Sequence, residues 1–217
     1  MDFLTELTEM SEPEAETPKR SVKGKELFEW LDIIVTSMIS VVIIFTFLFR
    51  LVTIVGDSMQ NSFYGGEKIV ITGLFYEPKY GDVVVISRNA HNSAIEKESF
   101  AEPIIKRVIA TGGQYVDIDF NTGVVYVGED ASTLKPLNEP YAKAPTYTKA
   151  DVDFPVYVPE GYVFVLGDNR NDSKDSRFKE IGENGLVNEK YILGRAVFRA
   201  FPFSRMGVIK GVEGENK

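Results

Sequence analysis

The sequence predicts a mainly β, antiparallel domain preceded by one transmembrane α-helix. Three observations carry that expectation. One long apolar run stands near the N-terminus, everything after it breaks into short β-rich runs, and those runs follow one another without helical patterns between them. At 217 residues the chain has room for one sizeable domain plus an accessory segment. A formal net charge of −8 and the lack of any basic run argue against a nucleic-acid partner. With no cysteine there are no disulfides, no thiolate nucleophile and no Cys-ligated metal, and the single histidine, His91, must serve any scheme that needs an imidazole.

Residues 1–26 are rich in Glu and carry Pro13 and Pro18. They hold too little apolar surface to offset ordering entropy, so a disordered acidic tail is expected there. Residues 27–50 are expected to cross the membrane. From Ile33 to Phe49 seventeen residues carry no charge, about 26 Å as helix. Trp30 and Leu31 bring the span close to a hydrocarbon core of ~30 Å, with Trp30 suited to one interface and Arg50 able to snorkel at the other. A buried core helix would show a polar stripe, a strand pair would need a turn, and a cleaved leader would have a shorter apolar run with a small-residue exit. Lys19, Arg20, Lys23 and Lys25 precede the run, against Arg50 and Lys68 after it. The positive-inside bias thus puts the N-terminus in the cytoplasm and the larger domain outside, a single-pass protein of the cell membrane with the lipid bilayer as a partner.

Residues 51–210 form the expected β-rich domain, followed by a polar tail at 211–217. Its strand candidates are "KIVITGL", "GDVVVIS", "IIKRVIAT", "YVDIDF", "VVYVGED", "GYVFVLGD" and "RAVFRAFP", with a hairpin turn at Asn121–Gly123. Residues 88–102 read as a polar loop, and 131–160 as Pro-rich and largely irregular.

Three segments could hold chemistry. In "IIKRVIAT" the alternation of a strand puts Ile104, Lys106, Val108 and Ala110 on one face and Arg107 on the other. An ammonium among apolar neighbours loses hydration, which favours the neutral amine, a general base. The plain alternative is an edge-strand lysine extending to water. In "GDSMQNSFYGG" Ser58 sits on a loop rich in Gly, Asn and Ser, where most serines only satisfy turns. Taken together, a chain without cysteine and with one histidine in a polar loop makes a lysine the economical partner for a serine nucleophile. The third segment, "GDNRNDSKDSRF", lacks the ligand spacing of a calcium loop. A solvated turn held by Asp–Arg pairs with Arg170 and Arg177 is the better expectation, and no metal is called for.

With these segments in order, the chain resembles the bacterial type I signal peptidases, membrane-anchored Ser/Lys endopeptidases. The resemblance runs over residues 27–210 through "GDSM", "GDVVVI", "KRVIATGG" and "GDNRNDSKDSR", with further likeness in "PLNEPY", "VPEGYVFVLGDN" and "LVNEKYILGRAVFRAFP". It implies Ser58 as nucleophile, Lys106 as general base and Ser173 as the serine that hydrogen-bonds and orients the lysine. It also implies Asp168 with Arg107, and Asp175 with Arg177, as structural ion pairs. The Ser58 amide would serve as an oxyanion donor, while a second donor found in some relatives is missing at Gly56. Ile54, Val55, Gly56, Met59, Phe63 and Ile105 would line a substrate groove with shallow pockets for small side chains. The implied activity is removal of signal peptides from exported preproteins near the protein export machinery, with no cofactor.

One departure stands out: the family reads Ser-Met-x-Pro-Thr-Leu where this chain has "SMQNSF", so Asn61, Ser62 and Phe63 replace proline, threonine and leucine. Two rival readings are weighed against the peptidase. A self-cleaving Ser/Lys repressor would need a DNA-binding head, which the acidic N-terminal residues do not supply. A non-enzymatic, membrane-tethered β domain that binds a partner is the other.

Overall fold

The computed structural model describes residues 22–87 and 103–212. The acidic tail up to residue 21, the polar loop 88–102 with His91, and residues 213–217 lie outside the described residues. The chain divides into two compact units, Met1–Phe45 and Thr46–Lys217.

Helix α1 runs from Val22 to Leu48, 27 residues or about 40 Å. It starts inside the stretch expected to be irregular, because no proline interrupts the chain between Pro18 and Pro78 and residues 22–26 include good helix formers. It ends before Arg50, which opens the first strand instead of closing the helix. Apolar side chains from Leu27 to Ile43, and that of Phe45, are exposed all round the helix. Among the described residues no helix is long and apolar enough to cross a membrane. The described side chains of α1 begin in a charged turn with Lys25, Glu26, Glu29 and Asp32, and those of Ile44 and Phe47 fall outside them.

The second unit holds the strands β1 Arg50–Thr53, β2 Lys68–Thr72, β3 Val83–Ile86, β4 Ile104–Thr111, β5 Tyr115–Asp119, β6 Val124–Gly128, β7 Lys135–Pro136, β8 Val156–Tyr157, β9 Tyr162–Leu166, β10 Val187–Asn188, β11 Ile192–Phe201 and β12 Gly207–Val208. One sheet has the order β1-β2-β11-β3-β4-β9-β10 with β12 on β11, and a smaller one has β7-β6-β5-β8. Every pairing is antiparallel. All seven strand candidates form, and the expected hairpin joins β5 to β6. There the Asp119 carboxylate accepts from the Asn121 amide at 2.9 Å, and Gly123 takes φ +75°, which a side chain would strain.

Strands β3 and β4 are buried on both faces, so their near-continuous Val/Ile content serves two core layers. Strict alternation along β4 fails at its far end. The register with β9 slips between Val108 and Ala110, and Ile109 and Ala110 both enter the core beside the small sheet. Ile104 and Val108, as expected, pack together in a different cluster with Val84, Val163 and Val165. A third cluster, built on Ile54, Met59, Phe63, Ile69, Val85 and Ile105, forms the floor of the loop that carries Ser58.

Candidate active site

The Ser58 loop leaves β1 and returns to β2. Its ends are tied by the Ile54 amide donating to Glu67 O at 2.8 Å and the Gly66 amide donating to Ile54 O at 2.9 Å. Met59 and Phe63 point inward and are buried, and the Phe63 amide donates to Met59 O at 2.9 Å, closing a tight turn around residues 59–63. This turn presents Ser58 toward β4. Lys106 Nζ and Ser58 Oγ lie 2.7 Å apart in hydrogen-bond contact, and the amine also donates to Ile105 O at 3.1 Å. Lys106 is only 3% exposed. Burial pushes its pKa down to about 8, working against the nearby Asp175 and Asp168 carboxylates, which raise it, and with the Arg177 guanidinium, which lowers it.

Neither carboxylate offers itself as a counter-ion for the lysine, because each is held by an arginine. Arg107 Nε and Nη2 bond both oxygens of Asp168 at 2.8 and 2.7 Å, and Arg177 does the same to Asp175 at 2.8 and 2.9 Å. The two acids are fully buried. The turn after β9 is therefore a packed polar core and not the solvated turn the sequence suggested. Arg170 pairs with Glu139 from the irregular segment, not with an aspartate of its own loop, at 2.7 and 2.5 Å. A charge this far from water needs a carboxylate beside it. Tyr141 lies between the two systems, with the Arg107 guanidinium 4.0 Å from its ring centre.

The same turn holds the serine loop directly. The Asn169 amide donates to Ser58 O at 2.9 Å and its side chain to Asp57 O at 3.1 Å. Gly167 passes so close that a Cβ there would lie 2.5 Å from Ser58 O and 2.2 Å from Ser173 Oγ. Ser62 Oγ donates to Asp168 at 2.5 Å, so the residue standing in place of a threonine ties the loop to the Arg107 pair. Sequence reasoning gave Ser62, Asn169, Glu139 and Tyr141 no role. "PLNEPY" carries part of the resemblance, but nothing in one dimension says that its Glu139 reaches Arg170.

Ser173 is placed differently from expectation. Its Oγ is buried without a hydrogen-bond partner among the described residues and makes no bond to Lys106, whose second bond goes to the Ile105 carbonyl. Ser173 instead helps line an open hollow of about 450 Å³ beside Ser58, with Gly56, Asp57, Thr148, Asn171, Asp172, Lys174 and Phe178. A larger cavity of about 960 Å³, near Tyr80, Leu137 and Val212, includes neither Ser58 nor Lys106. Of the six residues expected along a substrate groove, Ile54, Met59, Phe63 and Ile105 are packed in the core. They floor the loop, and burial of that floor is what holds the turn in shape. Val55, 68% exposed, and Gly56 are the two that present surface. No group of three or more His, Cys, Asp or Glu side chains that could hold a metal ion occurs among the described residues.

A buried amine whose pKa is lowered to about 8, in contact with a loop hydroxyl, with the Ser58 amide making no hydrogen bond among the described residues, is chemically suited to nucleophilic acyl transfer. Comparison with known proteins gives the family. The family model described as "Signal peptidase, peptidase S26" matches residues 27–201. A probable signal peptidase I-1 of Synechocystis sp. is 36% identical over 154 residues, 70% of each chain. Signal peptidase I of Bacillus licheniformis is 31% identical over 193 residues, 87% of this chain and 96% of that one. Signal peptidase I of Mycobacterium tuberculosis is 30% identical over 237 aligned positions, 89% of this chain and 79% of that one. With the matched span taking in both Ser58 and Lys106, this chain belongs to the S26 signal peptidase family and is a serine peptidase of the signal peptidase I type.

Proposed function

We propose that the chain is a membrane-anchored endopeptidase that removes N-terminal signal peptides from exported preproteins, cutting after small residues. Ser58 is the nucleophile and Lys106 the general base. The observation that carries this is the 2.7 Å contact between a 3% exposed lysine and the loop serine. In the uncharged amine the nitrogen has a lone pair, so the Ser58 hydroxyl donates to it. As Ser58 Oγ attacks the scissile carbonyl carbon, its proton passes to Nζ. The developing oxyanion is met by the Ser58 amide. The ammonium then gives the proton to the leaving amine, and the C–N bond breaks to leave an ester on Ser58. A water that donates its proton to the same lysine hydrolyses that ester and restores the hydroxyl.

Anchoring is supported by α1, along which apolar side chains from Leu27 to Ile43 are exposed. The apolar run continues in sequence through Phe49. Held to one surface, enzyme and preprotein meet at raised local concentration, so shallow pockets suffice. The cytoplasmic N-terminus and the proximity to the export machinery belong to this proposal. The test is cleavage of a preprotein by the full chain in detergent. Loss of cleavage in Ser58→Ala and Lys106→Ala but not in His91→Ala supports the dyad. Loss in His91→Ala with retention in Lys106→Ala ends it, and a wild-type chain that never cleaves favours a tethered binding domain.

A further inference from the structure

The C-terminal block "RAVFRAFPFSR" has no part in the chemistry above, yet two of its arginines reach the Ser58 loop. Arg199 stands on β11, and Arg205 ends the single turn Phe203–Arg205 that follows it. Arg199 Nη2 donates to Ser62 O at 2.6 Å, and Arg205 Nη2 donates to the same oxygen at 3.3 Å. Both also grip Glu67, the residue at the other end of the loop. Arg205 Nη1 donates to Oε1 at 2.6 Å, while Arg199 Nε lies 2.9 Å from Oε2 as an ion pair without hydrogen-bond geometry. Glu67 is 4% exposed, so its carboxylate depends on these partners. The guanidiniums cover the rings that follow Ser62, with Arg199 5.0 Å from the Phe63 centroid and Arg205 4.7 Å from that of Tyr64.

Four residues of one loop are thus held by two arginines from distant sequence. The Ser62–Phe63 peptide is anchored on one side by the Ser62 hydroxyl at Asp168, and on the other by the Ser62 carbonyl at the arginines. Its N–H reaches back to Met59, next to the serine. At Asn61, where the resemblance expects a proline, no ring fixes φ, so the loop takes its shape from outside contacts. We propose that Glu67, Arg199 and Arg205 form a clamp that positions the Ser58 loop and sets the reach of the hydroxyl to Lys106. The proposal rests on the peptidase reading.

The experiment measures kcat and KM of the full chain in detergent on a preprotein peptide, with thermal midpoints alongside. Arg199→Met is expected to lower kcat about tenfold or more, since small misplacement of reacting groups costs this much, while KM moves less than about twofold. Arg199→Lys, which keeps one donor and the charge, restores part of the loss. The acid limb of the pH profile stays in place because Lys106 keeps its place in β4 beside Asp168, Asp175 and Arg177. Glu67→Gln, close in size, gives the same pattern and carries the test if Arg199→Met fails to fold. Wild-type kcat in Arg199→Met combined with Arg205→Met overturns the clamp, as does a fall in kcat that only tracks the folded fraction and is not restored by lysine. Cleavage by Ser58→Ala, by contrast, overturns the peptidase reading beneath it.

Discussion

Lys106 Nζ sits 2.7 Å from Ser58 Oγ, and its chain neighbour Arg107 bonds both oxygens of Asp168 from the opposite face of the same strand. The proposed base and the arginine that braces Asp168 occupy successive residues of β4. Removing either member of the dyad should leave only what binding and the oxyanion donor supply. Ser58→Ala and Lys106→Ala are each expected to lower kcat by at least about a thousandfold, and the double variant should be little worse than either single one. Additive losses would show that the two side chains do not act as a unit.

The pH profile follows from the sign of the lysine shift. Its folded pKa lies near 8, below the ordinary value of 10.5, so the active neutral form grows as pH rises. kcat/KM should climb with an apparent pKa about 8 and then level off, with roughly a tenth of the enzyme competent at pH 7. For stability the direction is the same: the unfolded chain binds the extra proton between the two values, so the cost of burying this amine shrinks as pH rises from about 8 toward 10.5. A rate that falls through pH 8 would contradict the base assignment.

Arg107→Met removes the partner of a fully buried carboxylate. An unpaired charge in that position costs about 3–5 kcal/mol, to be read from the denaturant midpoint at unchanged slope. A loss below about 1 kcal/mol would mean that water reaches Asp168.

Gly167→Ala tests the closeness of the turn to the serine loop. Both Ser58 O and the Ser173 side chain lie too close to the new methyl group and must give way to it. The expected result is a fall in kcat on the order of ten- to a hundredfold, larger than the loss in thermal midpoint would suggest. Unchanged kcat would show the loop to be freely adjustable.

Anchoring is checked by alkaline washing of membranes from expressing cells. The full chain is expected to stay with the membrane pellet, and release into the wash would remove α1 from that role.

Much of this fold was legible because its signals are local. The seven strand candidates and the Asn121–Gly123 turn each follow from alternation or turn chemistry within a few residues. The burial of Lys106 was legible too, since apolar neighbours flank it in the strand. What escaped was non-local: that the last long strand lies between β2 and β3, that Glu139 travels to Arg170, and that Ser62 replaces a threonine while still reaching Asp168. The groove residues escaped for another reason. Apolar side chains near a nucleophile look alike in sequence whether they face a bound peptide or the floor beneath it.

Asn169 fastens two consecutive carbonyls, those of Asp57 and Ser58, to the turn after β9. Ser58 is therefore held by a polar corner as well as by the ends of β1 and β2. On heating, that corner should loosen before the β-layers separate. Irreversible loss of proteolysis would then set in at a lower temperature than the loss of strand signal in circular dichroism.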